Sequence, residues 1–249
     1  MPNTPYLDAS VRWKVSTGQL ETREPRVAEV AAGLLDAGLV TEVLRPIGAG
    51  KEADVFLARD GARLVAAKAY RLYRTSNRSR GAVKADGMGQ LAMREFNLLG
   101  YAWAYRAPVP EPIRREANAF SMEFLGTEDG PAPQLRRAPL DDPARIAREL
   151  LDAIDTLAAG GIVHTDLSPF NVLVHRGHPW IIDLGRGLRV DRLGGDPLQR
   201  LEDAHRTLAR SLELLERFFA RHGVPFEHRT VLAGILQRID RFGFGPSDE

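Results

Sequence analysis

No cysteine occurs in the 249-residue chain. That excludes a disulfide framework, a thiolate zinc site and a cysteine nucleophile, and it suits a reducing compartment. Long apolar runs are absent as well: nothing approaches the roughly 18 to 20 consecutive apolar residues that a membrane helix needs. The opening Met-Pro-Asn-Thr-Pro-Tyr lacks the basic-then-apolar order of a secretory leader. Membrane association is therefore not expected, and a cytoplasmic setting is. An excess of charge of either sign is missing too. A net charge of +1 and a pI near 8.1 announce no nucleic-acid, membrane or acidic partner, so only local clusters carry information. Neither internal repeats nor low-complexity tracts are evident.

What the chain does have is length and apolar content sufficient for one large domain or two lobes. Residues 1–24 are polar, aperiodic and marked by two early prolines, the pattern of a weakly ordered lead-in. From Pro25, Val27, Val30, Ala31, Leu34 and Leu35 recur at helical spacing, with Gly38 as a stop. Val40 to Ile47, Ala53 to Ala58 and Arg63 to Tyr70 read as strands of a small antiparallel sheet. Residues 69–85 contain no acid but carry Arg71, Arg74, Arg78, Arg80 and Lys84. This segment reads either as a solvated loop or as an anion or substrate contact.

Residues 90–105 look helical and include Glu95, and the proline-marked stretch Ala107 to Pro112 ends them. Phe120 to Gly126 is a short apolar strand, followed by the loop Thr127 to Pro133. Pro143 to Ala159, Leu198 to His222 and Arg229 to Phe242 show helical periodicity. The expected organisation is a lead-in and helix over 1–40, a β-rich part over 41–126 and a mainly helical part over 127–249.

The chemistry concentrates in His164-Thr-Asp166-Leu-Ser168-Pro169-Phe-Asn171, with Asp183 following twelve residues later in Ile-Ile-Asp183-Leu-Gly185. Phosphoryl transfer from a magnesium nucleotide needs a carboxylate beside the acceptor hydroxyl and oxygen ligands for the metal. Asp166 suits the first role, and Asn171 and Asp183 suit the second. Asn171 to Val174, a turn at Arg176 to Pro179, and Trp180 to Ile182 read as a hairpin that brings Asn171 and Asp183 to one end. Taken singly, Asp166 and Asn171 would more often be turn caps.

Upstream, Gly48-Ala-Gly50-Lys51-Glu52-Ala-Asp-Val55 is a glycine turn between strands, where backbone amides can approach phosphate oxygens without an intervening Cβ. It is not a Walker motif, because no Ser or Thr follows Lys51. Lys68 ends the apolar strand Val65-Ala-Ala-Lys68. A lysine buried there requires a partner, and Glu95 on the next helix is the candidate carboxylate.

Together these segments resemble the RIO family of atypical serine/threonine protein kinases and ATPases. The matching runs are Gly50 to Phe56, Lys68 to Arg71, Pro108 to Pro112, Met122 to Gly126 through Pro131 to Pro133, and Val163 to Asn171. The resemblance implies an α+β, two-lobed protein-kinase-like fold, with a small antiparallel β-rich N-lobe, a mainly helical C-lobe and ATP in the cleft. It implies catalytic roles for Asp166, Lys68 and Glu95, and magnesium or manganese ligation by Asn171 and Asp183. Nucleotide contacts are implied at Gly48, Gly50, Lys51, Glu52, Val55, Ala66, Lys68, Met122, Glu123, Leu125, Leu173 and Ile182. The backbone of Glu123 and Leu125 would hold the adenine, and Asp203 would brace the catalytic loop.

By analogy the partners would be ATP, a protein substrate and ribosome-assembly factors. Asp183 could itself accept phosphate. Arg186 stands where the family usually has Gln or a similar residue. The residues ahead of the core leave little room for a winged-helix domain, so direct nucleic-acid binding is not expected. Two other readings share the loop: a small-molecule kinase of the aminoglycoside or choline type, and a nucleotide-sensing scaffold with little turnover.

Overall fold

The computed structural model describes residues 27–49, 53–70, 87–190 and 197–243. The lead-in, the turn residues Gly50, Lys51 and Glu52, and the basic segment from Arg71 to Lys84 lie outside the described residues. Helices and antiparallel strands are both present, giving an α+β chain that divides into two compact units. The first holds residues up to Phe96 together with Pro112–Phe124, and the second holds Asn97–Glu111 with everything from Leu125 onward. Sequence reading placed one boundary after residue 126. The chain instead crosses at Phe124 and also lends Asn97–Glu111 to the second unit.

In the first unit, α1 (Val27–Asp36) leads into β1 (Glu42–Ala49), β2 (Ala53–Asp60) and β3 (Arg63–Tyr70). The helix ends in a Schellman cap: Gly38, at φ 63°, donates to Leu35, and Leu39 donates to the carbonyl of Leu34. Leu34 and Leu39 are both buried and pack together, the apolar contact that accompanies this cap. After β3 come α2 (Gly87–Ala104), which runs on into the second unit, then β4 (Pro112–Glu116) and β5 (Ala119–Glu123). The sheet order is β1-β2-β3-β5-β4, antiparallel throughout.

Alternation along the strands separates two apolar faces. Phe56, Ala58, Val65, Ala67 and Ala69 pack with Leu34, Leu39 and Val40 on one side. Leu57, Ala66 and Phe124, with Ile47, Val55, Leu64 and Met122, form the other. β4 was not expected from the sequence, which shows a proline and the charged run Arg-Arg-Glu there. It lies at the sheet edge, where Pro112 can lack a donor without cost, and a register shift follows between Pro112 and Arg114.

The second unit contains the short hairpin of β6 (Gly126–Thr127) and β7 (Gly130–Pro131), then α3 (Pro143–Ala159). Asp142 caps α3 by accepting from the Arg145 amide at 2.9 Å, and Pro143 occupies the first turn. Its buried stripe of Ile146, Leu150, Ile154 and Leu157 holds the helix in place, each side chain contributing roughly 1.5–3 kcal/mol by burial.

Next come β8 (Ile162–Val163), β9 (Val172–His175), β10 (His178–Ile181), a 3-10 turn over Leu184–Arg186 and β11 (Leu188–Arg189). Helices α4 (Pro197–Ala220) and α5 (His228–Gly243) complete the described residues. The β9–β10 turn is tighter than expected: Arg176 and Gly177 alone make it, both at positive φ (52° and 79°), and His178 and Pro179 belong to β10. That is the two-residue turn whose twist matches paired strands.

Candidate functional site

In the first unit, strand register places Lys68 opposite Val55 on β2 and Phe120 on β5. The ammonium of Lys68 lies 2.8 Å from the Glu95 carboxylate, whose residue is only 3% exposed. Tyr70 donates its hydroxyl to Oε2 of the same carboxylate. Lys68 also stands 5.3 Å from the centre of the Tyr70 ring. The Lys68–Glu95 pairing expected from the sequence is therefore present. Tyr70 was not anticipated; two residues after Lys68, it shares that strand face, which is the signal that could have found it.

On the same face Val55, Ala66 and Met122 lie together with Ile47, Leu57 and Leu64. This brings three of the expected nucleotide-lining residues into one apolar cluster and adds others that sequence reading missed. Gly48 sits in β1 opposite Val55, next to the turn outside the described residues. Glu123 ends β5. The Leu125 carbonyl already accepts from the Ala132 amide at 2.8 Å, so any adenine contact by Leu125 would use its N–H.

In the second unit, the loop between β8 and β9 and the segment after β10 are tied together by hydrogen bonds. The Asn171 side-chain amide donates to the Asp166 carbonyl at 2.7 Å, its backbone amide donates to Ser168, and its own carbonyl accepts from Ile182. Committing Nδ2 in this way orients the carboxamide and leaves Oδ1, a hard oxygen donor of the kind magnesium prefers, facing away from that bond. Because Val172 pairs with Ile181, Asn171 and Asp183 emerge from the same end of the hairpin. Asp183 is exposed and adopts a left-handed backbone at φ 64°, ψ 58°. That conformation costs most residues about 1–2 kcal/mol, and Asp tolerates it better than most. Asp166 is also exposed. Leu173 and Ile182 are half-buried within and just after the hairpin.

His164 organises this loop. The residue is buried and lines a small cavity together with Leu157, Leu167 and Ile239. Its Nε2 lies 3.0 Å from the Ile182 carbonyl and its Nδ1 accepts the Asp166 amide at 3.2 Å, so a neutral imidazole protonated on Nε2 satisfies both. Burial pushes its pKa below the ordinary histidine value, against the opposing influence of the Ile182 bond and of the Asp183 and Asp166 carboxylates. Thr165 adds a bond from Oγ1 to the Arg186 carbonyl at 2.7 Å. Close packing leaves no room beside Gly187, where a Cβ would stand 2.4 Å from Leu98 Cδ2 and 3.0 Å from the Leu184 carbonyl.

One expectation fails. Asp203 does not brace the catalytic loop: it is exposed on α4 and pairs with Arg206 at 3.1 Å, one helical turn along. The bracing comes from His164, Thr165 and Asn171 instead. Among the described residues no group of three or more His, Cys, Asp or Glu gathers as a self-sufficient metal cage. Asn171 and Asp183 fit a magnesium ion that takes its remaining oxygens from water or phosphate, the usual manner of Mg²⁺.

The sequence model of the RIO domain matches residues 65–231, well over half of the chain. The chain belongs to the RIO family. The RIO-type serine/threonine-protein kinase Rio1 of Thermoplasma acidophilum is 34% identical over 117 residues, covering 47% of this chain and 56% of that protein. Rio1 of Haloferax volcanii is 30% identical over 192 residues, covering 72% and 63%. The human serine/threonine-protein kinase RIO1 is 29% identical over 224 residues, covering 81% and 37%. The chain thus spans from 37% to 63% of the length of these relatives.

The crystal structure of the Rio2 kinase-ADP/Mg²⁺-phosphoaspartate complex from Chaetomium thermophilum superposes on this RIO domain with a TM-score of 0.62 at 20% identity, covering 95% of this chain and 80% of that one. That likeness establishes the kinase-like fold. Among the described residues no helix is long and apolar enough to cross a membrane.

Proposed function

We propose that this RIO domain is an ATP- and magnesium-dependent kinase that transfers the γ-phosphoryl group to a serine or threonine hydroxyl, acting in the cytoplasm. The observation that carries the reading is the locked orientation of Asn171. Its amide nitrogen is bound to the Asp166 carbonyl, so one residue fixes the backbone that presents Asp166 while its Oδ1 would remain for a metal ion. Asn171 and Asp183 would hold the magnesium ion, which when bound neutralises charge on the phosphate oxygens. Lys68, kept in place by Glu95 and Tyr70, contributes a further positive charge to the phosphates. Asp166 accepts the proton of the attacking hydroxyl. Most of the acceleration comes from positioning and electrostatics.

A second acceptor is supported by one feature of the chain. Asp183 is an exposed carboxylate in a left-handed conformation, and the solved Rio2 complex is an ADP/Mg²⁺-phosphoaspartate complex. In-line attack by an Asp183 carboxylate oxygen on the γ-phosphorus would form the acyl phosphate and release ADP; hydrolysis would then return the carboxylate and free phosphate. Incubation with γ-labelled ATP and magnesium, followed by acid and hydroxylamine treatment, tests both acceptors. Label that survives both treatments marks a hydroxyl ester, and label released by hydroxylamine marks an acyl phosphate, which belongs to Asp183 if Asp183→Asn abolishes it. Protein that binds ATP, takes no label and releases no phosphate would contradict the enzymatic reading.

A further inference from the structure

Phe170 lies in the catalytic loop, four residues after Asp166 and immediately before Asn171, yet it is 52% exposed. An aromatic ring in that position gains little by burial in the fold, while its neighbours Leu167 and Pro169 are buried. The guanidinium of Arg136 covers one face of the ring, with Cζ 4.3 Å from its centre. Arg136 is itself held by two bonds: its backbone amide donates to the Pro169 carbonyl at 3.1 Å, and its Nε donates to Gln134 Oε1 at 3.0 Å. Gln134 in turn bridges to Leu173 on β9. The stacked pair is therefore tied to the loop at Pro169 and to the strand that follows it at Leu173. Arg136 and the adjacent Arg137 are exposed, and among the described residues neither forms an ion pair. The result is a preorganised surface, apolar at the ring and cationic beside it.

We infer that Phe170 and Arg136 form an acceptor-recognition surface that selects a protein segment carrying an aromatic or large aliphatic side chain next to an acidic one. The ring offers an apolar face to the first, and the guanidinium, with Nε already engaged, offers its remaining N–H groups to the second. A segment whose hydroxyl reaches Asp166 meets Phe170 within a few residues, because four residues of extended chain span at most about 14 Å. Charge complementarity names the occupant: an acidic and apolar peptide is attracted by Arg136 and Arg137, and a basic one is repelled. This inference rests on the kinase reading for the identity of Asp166 as the acceptor-facing residue.

Two fluorescein-labelled serine peptides test it by anisotropy. One carries Glu and Phe two and three positions from the serine, and the other carries Lys and Ala at the same places. The Glu-Phe peptide is expected to bind the native protein about fivefold or more tightly than its counterpart, the scale of one or two exposed charge and ring contacts. Phe170→Ala removes most of that preference. Arg136→Glu reverses its charge component, so that the variant gains affinity for the Lys-Ala peptide, a gain that misfolding cannot produce. Equal binding of both peptides by the native protein, or a preference left intact in both variants, overturns the inference. A bound Glu-Phe peptide that takes no label from γ-labelled ATP contradicts the kinase reading instead and leaves the binding result standing.

Discussion

His164 shows how a single side chain sets the state of the site. With Nε2 donating to Ile182 and Nδ1 accepting from Asp166, the fold requires the neutral ring, and burial lowers its pKa accordingly. In the unfolded chain the ring takes a proton near pH 6.5. The unfolded state thus binds more protons between that value and the lower folded one. Stability is fully present above about pH 6.5 and is lost as pH falls toward the folded pKa, by at most about 1.4 kcal/mol per pH unit. Urea midpoints measured from pH 7 to pH 5 should fall more steeply for the native protein than for His164→Gln; parallel curves would refute this role. Lys68 makes a second case. Removing its charge takes the ammonium away from a buried Glu95 carboxylate to which Tyr70 remains hydrogen-bonded. Lys68→Met should cost about 3–5 kcal/mol in chemical denaturation, and Lys68→Met/Glu95→Gln should recover part of it. Equal stability of Lys68→Met and the native protein would contradict the pairing.

At the scale of elements, the hairpin β9–β10 carries Asn171 at its start and Asp183 just beyond its end, and its far end is tied to α3. Arg145 donates from Nη2 to the Gly177 carbonyl at 3.0 Å and pairs with Glu149 at 2.8 Å, while His178 meets Glu149 at 2.9 Å. Burial alone would raise the Glu149 carboxyl, but the bonds from His178 and Arg145 outweigh it and hold it below the ordinary carboxylate value. Arg145→Ala should therefore loosen the turn, with faster amide hydrogen exchange across residues 172–181 and a loss of about 1 kcal/mol. Unchanged exchange there would show that the strands hold themselves. The elements also show why some structure was legible from sequence. The limits of α3 coincide with its expected span because Asp142, Pro143 and Gly160 punctuate a clean apolar stripe. β4 was invisible because an edge strand of two arginines and a glutamate has no period-2 apolar signal, and its pairing is a tertiary fact.

For the whole molecule, the residues proposed for the site are those whose spacing in the sequence suggests the chemistry, Asp166, Asn171 and Asp183, together with Lys68 and Glu95, which the structure joins as an ion pair. The residues that position them were not readable. His164 and Tyr70 act through contacts formed only on folding, and Asp203 was assigned a bracing role that its exposed place on α4 does not support. The chain belongs to the RIO family and has a kinase-like fold, and the activity proposed for these local arrangements is phosphoryl transfer from magnesium ATP. The most direct test of that activity compares the native protein with Asp166→Asn at saturating ATP and magnesium, with ATP affinity measured in parallel by calorimetry. Because general-base assistance contributes roughly 10²- to 10⁴-fold, turnover should fall by about that factor while the dissociation constant for ATP changes by less than about twofold. Near-native turnover in Asp166→Asn would contradict the account.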